Sequence, residues 1–337
     1  MPRAAADSTT VGWVESPFQL LGAVEAQTSG ALGRNLVVLP RQGVDPLART
    51  VEELRRLGLP RGVTVANPSR VPRRVAGTLA IGDAFSGEVH RMLVHGLPDR
   101  LVLVDDGRST RRAMESLVTP HIPLIRPHVS VSRARALLAR LALARLRRLA
   151  RSGRMRVVTA LDLPQDVLDA ARDLGIDVRR HEFEWLRSLP VTQVPGSETV
   201  VLGTSLVANN LVKAQPYVEW VQAIARESPV TYWAHRREDA RTLEPLGDTP
   251  GIEITAGEIP VELSLRGVTS HRLITLPTTA ATTLRMLVPG VDIHEYAVPE
   301  SWWQPGVPAA ARMHLVPDPD HQPSFDVPPL SLPLSAH

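Results

Sequence analysis

Asp105-Asp106-Gly107 places two adjacent carboxylates directly after the apolar run Leu101-Val102-Leu103-Val104. Adjacent like charges raise the pKa of one partner, which suits a general base. The same residues suit a helix N-cap, where an Asp oxygen accepts a free backbone N–H. His235-Arg236-Arg237 ends the run Val230-Thr231-Tyr232-Trp233. Imidazole and guanidinium groups beside a helix start suit a phosphate, and a solvated basic turn explains them equally. Thr278-Thr279 follows Leu273-Ile274-Thr275-Leu276-Pro277 and offers hydroxyls and N–H groups to a phosphate, or simply caps a helix. Gly203-Thr204-Ser205 is a Gly-hydroxyl turn after a strand, and Pro260-Val261-Glu262 sets a carboxylate at a helix start, where its ordinary role is capping. Ser16-Pro17-Phe18-Gln19 follows Val11-Gly12-Trp13-Val14. All of these sit where strands should end, and ligands of open α/β sheets bind outside the carboxyl ends of the strands. The expectation is one cleft between two domains, with a carboxylate facing an imidazole across a bound ligand.

The elements that must carry these residues alternate between strand and helix. In the first half the strand candidates are 11–15, 35–39, 78–82, 101–104 and 156–160, with helices such as 17–31, 45–57 and 84–95 between them. That rhythm argues for a mostly parallel sheet covered on both faces. Pro190 to Gly196 breaks the pattern as a loop or linker. A second rhythm follows: strand 199–203, helix 214–227, strand 230–234, helix 237–245, strand 252–255, a short helix near 261–266, strand 272–276 and helix 279–287. The domains expected are 8–192, 197–297 and a Pro-rich tail over 298–337.

Composition removes several classes of function. The chain has 337 residues, 43% of them apolar, enough for two α/β cores. Net charge is only +3, and Lys213 is the one lysine among 38 basic residues. Aromatics make up 4%, without the dense basic stripe that nucleic-acid binding wants. With no cysteine, disulfides, thiolate metal sites and a Cys nucleophile are excluded. No GxxxxGK[ST] and no GxGxxG at the first strand turn occurs, which argues against P-loop NTPases and ordinary dinucleotide enzymes. Histidines lack HExxH-like spacing, so a metal site has little support, and the chain is expected to need no cofactor. Met1 to Asp7 has no apolar signal core, and no stretch of 18 apolar residues occurs, so the expected compartment is the cytoplasm.

Taken in order, these motifs resemble the bacterial sialyltransferase and polysialyltransferase-like glycosyltransferases. Those families share a D/E-D/E-G motif, an H-P motif and a Ser/Thr motif, matched here by Asp105-Asp106-Gly107, His235 and Thr278-Thr279. Val14 to Glu25 is similar to the family's first strand and helix, and Pro260-Val261-Glu262 to a segment carrying a ribose-binding carboxylate. The resemblance covers roughly residues 11–295. It implies a GT-B fold: two Rossmann-like domains whose parallel sheets face across a deep cleft. It implies transfer of sialic acid or a related nonulosonate from a CMP-activated donor to a glycan or other hydroxyl acceptor, with inversion and without a metal. A bacterial surface glycan is the product such an enzyme would build. Carried over, Asp106 is the base that deprotonates the acceptor, with Asp105 close behind. His235 contacts the donor phosphate, Glu262 holds the ribose, and Thr278 and Thr279 bind phosphate. Gly203, Thr204, Arg236 and Pro260 line the donor side; Ser16 and Gln19 line the acceptor side. Acceptor loops are expected at 40–46, 66–77 and 119–130. Arg236 stands where the family has proline, which leaves cytosine stacking open. The alternatives are a GT-B transferase with another nucleotide sugar, or a non-catalytic nucleotide- or glycan-binding protein on the same scaffold.

Residues 133–154 form a basic helix candidate in which leucines alternate with arginines and no acid occurs. One reading is peripheral association with an anionic membrane at its inner face. The other is a helix that packs its leucines on the first domain.

Overall fold

The computed structural model describes residues 9–317 except 73, 127, 128, 130, 194, 195 and 314. The chain divides into two compact units, Met1–Pro190 and Val191–His337. The first unit runs β1 (Thr10–Val14), α1 (Pro17–Thr28), β2 (Leu36–Pro40), α2 (Asp45–Leu57), β3 (Val63–Val65), β4 (Thr78–Ile81), α3 (Gly87–His95), β5 (Arg100–Val104), α4 (Arg108–Val118), α5 (Arg133–Arg151), β6 (Met155–Thr159), α6 (Gln165–Leu174), β7 (Ile176–Arg180) and α7 (Glu184–Ser188). Its seven strands are parallel in the order β3-β2-β1-β4-β5-β6-β7. The order reverses between β1 and β4, the switch point where such sheets open a crevice at their carboxyl ends. The central strands are apolar on both faces because helices cover both. Trp13, Leu79, Ile81, Leu101, Leu103 and Val157 are almost fully buried.

The second unit runs β8 (Thr199–Leu202), α8 (Ala214–Glu227), β9 (Val230–Ala234), α9 (Ala240–Gly247), β10 (Ile252–Ala256), α10 (Val261–Ser264), β11 (Arg272–Thr275), α11 (Thr279–Leu287), β12 (Asp292–Glu295), a 3₁₀ turn (Glu300–Trp302) and α12 (Ala309–Met313). Its five parallel strands follow the order β10-β9-β8-β11-β12, with the switch between β8 and β11. The α/β class and the two Rossmann-like units of the GT-B expectation are present. Residues 298–317, expected as the start of a tail, belong to the second unit. Val298, Trp302, Trp303 and Val307 are buried in its core beside Tyr217, Trp220 and Tyr296. Expectations for residues 318–337 fall outside the described residues.

Several elements differ from expectation. Strands β3, β7 and β12 went unread because each is a short edge strand, and Ile176-Asp177-Val178-Arg179-Arg180 carries charge on its open side. The helix expected over 237–245 starts at Ala240, capped by Asp239, whose carboxylate accepts the Arg241 N–H. His235 therefore sits in a turn ahead of the helix, not at its N-terminus.

Candidate functional site in each unit

The two adjacent carboxylates have different fates. Asp105 points inward and is fully buried. Its Oδ1 accepts from Gly107 N (2.9 Å) and Thr110 Oγ1 (3.1 Å), and its Oδ2 from Thr159 Oγ1 (3.0 Å) and Ala160 N (2.8 Å). It ties the end of β5 to the start of α4 and the end of β6. Gly107 turns the chain with φ of 63°, a conformation that favours glycine. His181 Nε2 lies 3.9 Å from Asp105 Oδ2 and is itself fully buried. Asp105 is thus corrected from a catalytic candidate to a structural carboxylate: its lone pairs are spent on protein donors and no substrate can reach it.

Asp106 is placed differently. Its side chain keeps 14% of its exposure. Oδ1 accepts from Gln19 Nε2 at 2.9 Å, and Oδ2 stands 3.7 Å from Arg126 Nη2. Gln19 is fixed at its other end, where Oε1 accepts the Glu15 N–H at 2.8 Å. Arg126 is anchored to Asp83 Oδ2 (3.0 Å) and Ser109 Oγ (3.0 Å) and lies 5.4 Å from the centre of the Phe85 ring. Burial, with help from the negative charge of Asp83, pushes the Asp106 carboxyl up to about 7; Arg126 and the Gln19 amide pull the other way. A carboxylate poised there can take a proton near neutral pH. Residues from the ends of β1, β4 and β5 converge on it, which is where the switch point predicts a site.

Ser16 and Gln19, expected on the acceptor side, each have a partner within the first unit. Ser16 Oγ caps α1 by accepting the Gln19 N–H at 3.3 Å. Gln19 is 2% exposed and orients Asp106. The residues that sequence reasoning missed are Asp83 and Arg126. Asp83 follows the apolar strand β4, the same signal that exposed Asp106, whereas Arg126 had no local pattern to mark it.

In the second unit, one carboxylate that the sequence did not single out organises the strand ends. Glu238 Oε2 accepts the His235 N–H at 2.7 Å, and its Oε1 accepts from Tyr232 OH at 2.5 Å and Thr204 N at 3.4 Å. Tyr232 OH in turn meets Tyr217 OH at 2.9 Å inside the core. A Cβ on Gly203 would lie 2.2 Å from Glu238 Oε2 and 2.6 Å from His235 N, so only glycine admits this carboxylate. Burial pushes Glu238 up to about 7. Gly203 N donates to Trp233 O and Thr204 N to Glu238, while Thr204 Oγ1 accepts the Leu206 N–H at 3.2 Å. The N–H groups of Gly203 and Thr204 are spent inside the protein.

His235 Nδ1 accepts the Arg237 N–H at 3.1 Å, which puts the ring proton on Nε2. Burial, reinforced by Arg236 and Arg237, holds the ring down to about 4, so it is neutral at pH 7. Thr278 Oγ1 caps α11 by accepting Ala280 N at 3.3 Å, and Thr278 N donates to Glu295 Oε1 at 2.8 Å. Thr279 opens α11 and is half-buried; Arg236 is exposed; Pro260 precedes α10 without a side-chain cap. Glu262 is 4% exposed and accepts from Thr283 Oγ1 at 2.7 Å, joining α10 to α11.

One His/carboxylate group among the described residues, Glu25, His181 and Glu184, brings candidate ligand atoms within 4.8 Å of one another. Both Glu25 oxygens already accept backbone N–H groups, from Trp185 (3.1 Å) and Leu186 (2.8 Å), at the start of α7. That arrangement is a helix cap. No described helix is long and apolar enough to cross a membrane.

No protein-family model matches the chain, and no curated protein matches it. Solved structures similar to it include UDP-GlcNAc 2-epimerase of Methanocaldococcus jannaschii in complex with UDP-GlcNAc and UDP, at 10% identity over 86% of this chain and 84% of that one, TM-score 0.48. UGT2 of Phytolacca americana, complexed with UDP-2fluoro-glucose and pterostilbene, is 14% identical over 91% and 82%, TM-score 0.49. E. coli heptosyltransferase WaaC with ADP-2-deoxy-2-fluoro heptose is 11% identical over 88% and 91%, TM-score 0.37. Likenesses of this size decide nothing about activity, and the fold stands on the strand order of the two sheets.

Proposed function

We propose that the protein is a nucleotide-sugar-dependent glycosyltransferase that inverts the anomeric centre without a metal ion. The observation that carries the reading is Asp106: a strand-end carboxylate, oriented by Gln19 and raised to about 7. In the step proposed, Asp106 takes the proton of the acceptor hydroxyl. The acceptor oxygen attacks the anomeric carbon, the bond from that carbon to the phosphate oxygen breaks, and its electron pair leaves on phosphate. In the second unit the Nε2–H of His235 and the hydroxyl of Thr278 are groups that can donate to a donor phosphate, and Thr279 follows Thr278 at the start of α11. Such dipoles and hydroxyls take the part that a metal plays in other transferases. A glycan hydroxyl is the acceptor class.

The donor is a finer proposal. A CMP-activated nonulosonate rests on the order of the motifs. The similar solved proteins carry UDP or ADP sugars, so the panel must span the bases. Calorimetry with CMP, CDP, UDP, ADP and GDP, in the presence of EDTA, tests the reading. Binding of one nucleotide family, weakened by His235→Ala, is expected. Equal indifference to every nucleotide at millimolar concentration defeats the glycosyltransferase reading. Preference for UDP or ADP retains it and removes the CMP donor. Loss of binding in EDTA removes metal independence.

A further inference from the structure

Helix α5 is the longest helix in the chain's described residues, and its two sides have separate tasks. The inward side buries Ala139, Ala142, Leu143, Leu146, Leu149 and Ala150 against neighbouring helices and β6. Two of its arginines are spent on structure. Arg147 donates to the carbonyls of Ser116, Leu117 and Thr119 at the end of α4, and Arg135 meets His90 Nδ1 and Phe85 O.

The outward side is different. Arg133, Leu137, Arg140, Leu141, Arg148 and Arg151 recur at helical spacing and are all exposed. Leu137 is 57% and Leu141 46% exposed, two of the few large apolar side chains that the described surface shows. No acid lies on this helix to neutralise the arginines. The two exposed leucines thus lie among four exposed guanidinium groups on one face. The core-packing and membrane readings of the sequence therefore apply to opposite faces of one helix.

We propose that the outward face of α5 docks on an anionic phospholipid bilayer, with Leu137 and Leu141 entering the headgroup boundary and Arg133, Arg140, Arg148 and Arg151 contacting lipid phosphates. The charge matches, and the interleaved leucines distinguish a bilayer from a soluble polyanion. This proposal does not depend on the catalytic reading.

The full chain is sedimented with vesicles of phosphatidylcholine alone and with added phosphatidylglycerol, at low and high salt. Binding is expected only with phosphatidylglycerol and falls as salt rises. The triple variant Arg140→Glu, Arg148→Glu, Arg151→Glu should lose at least about a hundredfold in partitioning, since each lost cation alone contributes roughly fivefold. Arg147 is left intact because it holds α4. The control Arg61→Glu, Arg70→Glu, Arg226→Glu changes net charge equally on other exposed arginines and should bind much as wild type. Leu137→Ser with Leu141→Ser, both exposed and harmless to the core, should weaken binding about tenfold. No sedimentation with anionic vesicles at low salt overturns the proposal. So does equal loss in the two charge triples, or unchanged binding of the serine pair.

Discussion

Asp106 in the first unit and Glu238 in the second are both strand-end carboxylates pushed up to about 7 by burial. They are held in opposite ways. Glu238 is gripped by the backbone N–H groups of His235 and Thr204 and by a tyrosine hydroxyl. Asp106 has a side-chain amide on one oxygen and a guanidinium 3.7 Å from the other. A carboxylate fixed by backbone donors is part of the turn that it fixes. One set by side chains can exchange a partner for a substrate hydroxyl. A raised pKa alone does not separate the two cases, and the identity of the donors does.

The sharpest break of this comparison is Asp106→Asn. Turnover should fall by roughly 10²–10⁴-fold, the usual range for a lost general base, while nucleotide affinity stays nearly unchanged. The matching changes at Asp105 and Glu238 should act on the fold. Asp105→Asn turns an amide N–H toward donors that need an acceptor and should cost about 2–4 kcal/mol in chemical denaturation. Full activity in Asp106→Asn would reverse the assignment. An unchanged denaturation midpoint in Asp105→Asn would return Asp105 to the candidates.

Stability against pH sharpens the contrast. The folded value of Asp106, about 7, lies above the ordinary 3.8, so ionising it costs more in the folded state. Wild type therefore loses stability as pH rises from about 4 through 7, and Asp106→Asn is spared that loss. Melting curves should show the variant more stable than wild type above pH 7, with the gap closing toward pH 4. A constant gap would mean that the carboxyl is not perturbed. The pH–rate profile divides the same field between its sources. Asp83→Asn removes a like charge and should move the acid limb to lower pH. Arg126→Gln removes an opposite charge and should move it higher. Shifts of the same sign in both variants would contradict the electrostatic arrangement.

The smallest effect is expected at Gly203→Ala. Its Cβ must displace Glu238 or the His235 backbone, at a cost of roughly 1–3 kcal/mol, with nucleotide affinity lowered through His235. An Ala variant as stable as wild type would show that the Glu238 turn yields easily.

Much of this was legible in the chain. The central strands β1, β4, β5, β8, β9 and β11 read as apolar runs because both of their faces are covered, and the polar residues after them marked the strand ends where ligands bind. Three edge strands escaped because one open side lets polar residues in. The sequence also put Asp105 and Asp106 side by side without ranking their environments, since adjacent residues beyond a strand can point to opposite sides. Arg126 and Glu238 carried no motif, because what recruits them is proximity in space.

By itself the sequence determined the alternation of strands and helices, the two α/β halves and the polar residues that follow the strands. These follow from local patterns of apolar and polar residues, which reach only a few positions along the chain. Only the tertiary structure decided which carboxylate turns inward, which arginines are consumed by helix ends and which leucines of α5 remain outside. Those outcomes depend on what lies across the fold: Gln19 stands 87 positions from Asp106, and Ala160 stands 55 from Asp105. Burial and hydrogen-bond partners at such separations exist only once the chain has packed.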